Sequence, residues 1–188
     1  MEKKDIAITL LKEKITQGGL CKLRIRSHWS MYPLFEKQGA LKIRSVLIKD
    51  LCLGDIVVYK KDQDLIAHRY IRIAKTQSEK AIITKGDSAA SFDPYVVLEE
   101  ELLGKVISFT AADKTISYEN VFWRSINALL AKLSLWEASC YILAARSSSS
   151  KNPASACLRS ILIFARKAGE GIRIILIRLL VLWSRIVF

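Results

Sequence analysis

Ser30 has the greatest chemical potential in this chain, and it stands in the run Arg26-Ser27-His28-Trp29-Ser30-Met31-Tyr32-Pro33. The alternation Leu23-Arg24-Ile25-Arg26 reads as a strand, and Pro33 forces an extended or turned exit. A serine at a strand-to-turn junction can present its hydroxyl outward as a nucleophile. An unperturbed hydroxyl is a poor nucleophile, so a neutral imidazole must accept its proton as it attacks. The chain holds two histidines, His28 inside the run and His68 downstream, with carboxylates at Asp87 and Asp93 beyond them. Serine, imidazole and carboxylate are the parts needed to attack a carbonyl.

Those residues need a scaffold, and the sequence supplies one with a period of two. His68 lies in Leu65 to Ile73, where alternation puts it on the face of Ile66 and Tyr70. Further strands are predicted at Leu41 to Leu47, Asp55 to Lys60, Leu65 to Ala74, Lys80 to Lys85, Leu103 to Thr110 and Lys114 to Tyr118. Turn chemistry separates them at Gly54-Asp55, Lys61 to Asp64, Gly86-Asp87 and Asp93-Pro94. Residues 20–118 therefore read as a compact, mostly-β domain. Residues 1–19 form a short amphipathic helix on Ile6, Leu10, Leu11 and Ile15, ended by Gly18-Gly19.

After Glu119 the period becomes helical, with Phe122, Ile126, Leu129, Leu130, Leu133 and Trp136 on one face. A loop from Ser147 to Pro153 precedes a pattern over Leu158 to Ala168 and a last one over Ile172 to Phe188. Residues 119–188 hold ten Lys and Arg against three Asp and Glu, which is +7 of the chain's formal +12. Such a charge points to anionic surfaces. The last segment is apolar on nearly all sides, and Arg173, Arg178 and Arg185 can snorkel from it to headgroups. Membrane contact is the favoured role for this tail, ahead of packing on the β domain. Nucleic acid ranks last because aromatic and basic residues do not interleave. No run of 18 uncharged apolar residues occurs, so no spanning helix is expected, and no secretory signal or N-terminal anchor is read from the first residues. The location expected is peripheral to a membrane or cytoplasmic. Cys21, Cys52, Cys140 and Cys157 lack ligand spacing and read as reduced, buried thiols, with no metal and no cofactor implied.

Five boxes in order then become informative: Ser30-Met31-x-Pro33, Gly54-Asp55-Ile56-Val57-Val58, His68-Arg69, Lys85-Gly86-Asp87 with Asp93 six residues on, and Gly104-Lys105-Val106. Together, over roughly residues 20–110, they resemble the type I signal peptidase family, in the branch typical of archaea and the endoplasmic reticulum. The resemblance implies a signal-peptidase-like or LexA-like β catalytic domain and cleavage after small residues. It makes Ser30 the nucleophile, His68 the general base and then acid, and Asp93 the orienting carboxylate, with Asp87 the alternative. It places the oxyanion at the Ser30 amide, with His28 as a further donor and Met31 under or along the groove. Arg69 is expected to support the site through a carboxylate. In the eubacterial branch and in LexA-like proteases a lysine serves near the His68 position, but Lys60 and Lys61 fall outside that register.

The chain also departs from the family. His28 and Trp29 stand where Ser and Gly are usual, and the nineteen mostly polar residues before the domain do not form the usual N-terminal anchor. The partners expected are a peptide or preprotein substrate and an anionic membrane surface reached by the tail, with a partner subunit left open. Two other readings remain at this point: a LexA-like autoproteolytic regulator and a non-catalytic membrane-surface adaptor.

Overall fold

The structure, a computed structural model, describes residues 10–15, 17, 20–24, 29–32, 34–35, 39–74, 80–111, 114–147 and 153–187. The alternating segments form one antiparallel sheet of eight strands. These are β1 (Cys21–Arg24), β2 (Ala40–Arg44), β3 (Ile56–Lys61), β4 (Asp64–Ile73), β5 (Ala81–Lys85), β6 (Val97–Leu98), β7 (Leu102–Ala111) and β8 (Lys114–Ser117). Their order is β1-β2-β7-β3-β4-β5-β6, with β8 also paired to β7. β3 and β4 join through a tight turn at Asp62, whose φ is 52°, a conformation Asp tolerates. Strand β2 is shorter than expected because the chain leaves it into a 3-10 turn at Ile48–Asp50.

Two helices follow, α1 (Val121–Ser147) and α2 (Pro153–Val187). Asn120 starts α1 by accepting the Trp123 N–H on its side-chain oxygen at 2.8 Å, which satisfies one orphan donor of the first turn. Pro153 suits the first position of α2, where its missing N–H costs nothing. Both helices close over one face of the sheet. Trp123, Leu130 and Ile177 are buried with Met31, Phe35, Ile43, Val58 and Val106 in one core, each such side chain contributing about 1.5–3 kcal/mol by burial. A second core on the opposite face holds Val57, Tyr59, Tyr70, Ile82 and Val97. The helical stretch 10–15 joins the first core through Ile15, and Lys12 Nζ donates to the Glu100 carbonyl. Residues 1–9 and Gly18-Gly19, expected to begin and end that helix, lie outside the described residues.

Several expectations are corrected. Mostly-β describes residues 20–118 but not the chain, because helices of 27 and 35 residues outweigh the strands. Helix α2 runs unbroken through Gly169 and Gly171, where two separate patterns were expected. Of the apolar face expected on α1, Leu130 points inward while Phe122, Leu129 and Trp136 are exposed. Arg173 is buried, not snorkelled, whereas Arg178 is exposed and Arg185 lies where side chains are not described. Of the four thiols, Cys140 is buried and Cys21 half-buried, but Cys52 and Cys157 are exposed. The stretch Val121–Arg146 is long and apolar enough to cross a membrane, although 39% of it is buried inside the protein.

Candidate active site

Strand alternation separates the two candidate carboxylates. On β4, His68 and Arg69 are neighbours and so point to opposite faces of the sheet. His68 meets Tyr59 on the second-core face, at 3.3 Å from its hydroxyl to Nδ1. Arg69 points to the helices, donating to the Asn127 side chain of α1 at 2.9 Å and to the Gly54 carbonyl at 3.0 Å. Asp93 lies on the His68 side and Asp87 on the Arg69 side.

Asp93 Oδ2 contacts His68 Nδ1 at 2.7 Å, and it accepts from Thr84 Oγ1 at 2.5 Å and Tyr59 OH at 3.2 Å. Thr84 is opposite Tyr70 across β4 and β5, which puts it on the same face as His68. The Asp93 amide is tied to the Thr84 carbonyl at 2.9 Å. Burial alone would raise the Asp93 carboxyl, but hydrogen bonding and charge at His68, with Thr84 and Tyr59, outweigh it and hold it below the usual range. Burial pushes the Tyr59 phenol above its usual range, so it stays protonated and can donate. This carboxylate is thus an anion that fixes one nitrogen of the imidazole and leaves Nε2 for other work.

Asp87 is committed elsewhere. Arg69 Nε and Nη2 donate to its two oxygens, each at 2.8 Å, in a pair with both side chains fully buried. Burial would raise its carboxyl, but Arg69, Arg173 and Lys85 together hold it below the usual range. It is a strut between β4 and the loop that follows β5.

Gly86 sits where that loop meets Ser30. A Cβ at Gly86 would lie 2.7 Å from the Ser30 carbonyl oxygen, 3.2 Å from Ser30 Cβ and 3.2 Å from His68 Nε2. Ser30 Cβ and His68 Nε2 are therefore separated by no more than twice that last distance. The Ser88 amide donates to the Ser30 carbonyl at 2.9 Å, so one loop holds the serine by its backbone and, through Asp93, the histidine by its ring. No hydrogen bond between the Ser30 and His68 side chains is closed. Ser30 occupies the 3-10 turn Trp29–Met31 and is half-buried.

Lys85, on the other side of Gly86, is fully buried. Its Nζ lies 3.5 Å from the Gly86 carbonyl and 3.5 Å from Glu137 Oε2 on α1. Glu137 in turn accepts from Arg173 Nε of α2 at 2.8 and 3.1 Å. Burial and then the Arg173 charge push the Lys85 ammonium down to about 8, against the pull of Glu137 and Asp87. Among the described residues Arg173 Nη1 and Nη2 have no partner, an expensive arrangement in a site closed to water.

Ser30, His68 and Asp93 are thus brought to one place, and Asp87 to the opposite face. Met31, expected under or along a groove, is 1% exposed and fills the core with Leu34 and Phe35, so it does not line an open groove. His28, the further oxyanion donor expected, lies outside the described residues. A groove of about 350 Å³ lined by Lys22, Lys42, Ser108 and Thr115, among others, sits on β1, β2, β7 and β8 and shares no residue with this cluster. Sequence reasoning missed Tyr59 and Thr84, although each stands directly beside a box it singled out. It also missed Glu137, whose signal was that it is the one carboxylate in α1. No family model matches the chain, and no match is found among curated proteins or solved structures.

Proposed function

We propose that this chain is a serine endopeptidase of the signal peptidase I type, cleaving after small residues. The observation that carries the reading is the convergence at Gly86, where Ser30 Cβ and His68 Nε2 face one point while Asp93 holds His68 Nδ1. In the proposed reaction His68 Nε2 takes the Ser30 proton as Oγ attacks the peptide carbonyl. Asp93 keeps the imidazole in the tautomer with a free Nε2 and stabilises the imidazolium that forms. The Ser30 amide donates to the developing oxyanion, such a donor being worth about 3 kcal/mol. His68 then gives its proton to the leaving amine, and water enters by the same route to release the acyl group from Ser30. The preference for small residues comes from the resemblance of the five boxes, with leader or signal peptides as the substrate class.

The test is cleavage of a peptide library containing Ala-x-Ala sites by the full chain. Ser30→Ala and His68→Ala should each lower the rate by at least about a thousandfold while leaving the unfolding transition cooperative. Full activity in either variant would refute the mechanism.

A further inference from the structure

The two helices bury one side against the sheet and leave another side apolar and open. On α1, Leu129, Trp136 and Leu143 recur every seven residues and are each 44–51% exposed. On α2, Phe164, Ile172 and Ile175 are 53–76% exposed. Gly169 of α2 lies against the Trp136 ring of α1, so close that a Cβ would fall 2.3 Å from it. Both helices of the hairpin thus carry large apolar side chains that stay exposed among the described residues.

Charge decides what covers them. The segment 119–188 has three carboxylates, and all are engaged: Glu119 with Arg44, Glu137 buried with Arg173, and Glu170 with Arg166. Exposed Lys132, Arg159, Lys167 and Arg178 leave the hairpin surface basic. Lys132 stands within the apolar row, one turn from Leu129 and from Trp136. Pressed against a second copy, that ammonium would be desolvated opposite an equally basic surface. At a bilayer, its aliphatic stem can lie along the acyl region while the head reaches phosphate. The opposite sides of both helices carry Asn127, Glu137 and Arg173 into the protein, so neither helix can span a membrane while the fold persists.

We propose that the open face of the α1–α2 hairpin docks on an anionic phospholipid surface, lying in the interface rather than crossing it. Arg178 Nη2 donates to Tyr32 OH at 3.5 Å, so this docking would set the turn that bears Ser30 beside the headgroups. The proposal concerns binding alone and stands whether or not Ser30 cleaves peptides.

The test is co-sedimentation of the full chain with vesicles of phosphatidylcholine alone and of phosphatidylcholine with phosphatidylglycerol, at low and at physiological salt. Binding should require phosphatidylglycerol and weaken with salt. Phe164→Ser with Ile175→Ser should weaken it at least tenfold. Lys132→Glu, an exposed change that spares the core, should weaken binding to the anionic vesicles and guards against a double variant that fails to fold. Equal binding to both vesicles, no binding to either, or a stable dimer by light scattering with no vesicle binding would each overturn the proposal.

Discussion

Gly86→Ala is the sharpest single probe of the candidate site, because the added methyl would lie 3.2 Å from both Ser30 Cβ and His68 Nε2. Ordinary contact begins near 3.4 Å, so the Ser30 carbonyl must retreat by about 0.7 Å, and Ser30 Cβ and His68 Nε2 by a few tenths each. Both members of the proposed serine–imidazole pair are therefore displaced. A misplacement of this order costs on the order of 10²-fold in rate, equivalent to about 3 kcal/mol of transition-state stabilisation. The same overpacking should cost about 1–3 kcal/mol of stability. The assay is kcat and KM on a peptide cleaved by the wild type, with urea unfolding of both proteins. The expected result is a fall in kcat near a hundredfold, little change in KM, and a retained cooperative transition. A kcat within threefold of wild type in a folded variant would refute the idea that Gly86 spaces Ser30 from His68.

Three further outcomes follow from the charges around that turn. Asp93→Asn should keep the fold but lower kcat by about 10²–10⁴, since the amide no longer enforces one imidazole tautomer; undiminished turnover would remove Asp93 from the mechanism. Lys85 titrates at about 8 in the folded protein against a usual 10.5, so between those values the unfolded chain binds more protons and stability rises with pH. Its burial cost, about 3 kcal/mol, is therefore fully present below pH 8 and relieved above it. The stability advantage of Lys85→Met over wild type should shrink by about that amount between pH 7 and pH 10.5 in urea unfolding, and a difference constant with pH would show the ammonium to be hydrated. Asp87→Asn should cost about 3–5 kcal/mol at pH 7, because it breaks a buried pair and leaves Arg69 unmatched; a thermal midpoint within a degree or two of wild type would contradict this. Because the Asp87 carboxyl is held low, its contribution in the wild type should be full above the usual carboxylate range, decline as the pH falls through that range and be lost once the pH passes the folded-state value.

Much of the site was legible in the sequence because strands have a period of two. The alternation Leu65 to Ile73 fixed the face of His68 and, one residue on, the opposite face of Arg69. That parity is why Asp93 and Asp87 part company, although chain distance alone gives no reason to prefer either. Strand β6, two residues long, carries too little pattern to detect. The helices were harder. Leu129 and Leu130 both fall on the one apolar face read for α1, and nothing in the pattern says which of them meets the core, so they look alike in sequence and differ in the fold. Arg173 read as a headgroup ligand because its partner, Glu137, lies 36 residues earlier and becomes a neighbour only when the hairpin closes. Gly169 falls between the two patterns read in the sequence, yet it lies inside one helix, and the ring of Trp136 occupies the space that a side chain would need.

The line of contacts from Arg173 through Glu137 and Lys85 to Gly86 has a consequence for the order of events during synthesis. At roughly 5–20 residues per second, Arg173 is made on the order of ten seconds after Lys85. Until it arrives, Glu137 has one charge partner fewer and the turn beside Ser30 lacks its outer brace. The newborn chain then has the Ser30 turn without the contacts that brace Gly86 from the helices. On the proposed function, the peptidase site would be complete only after α2 has emerged and closed, when the chain's own unfolded segments are no longer exposed beside it.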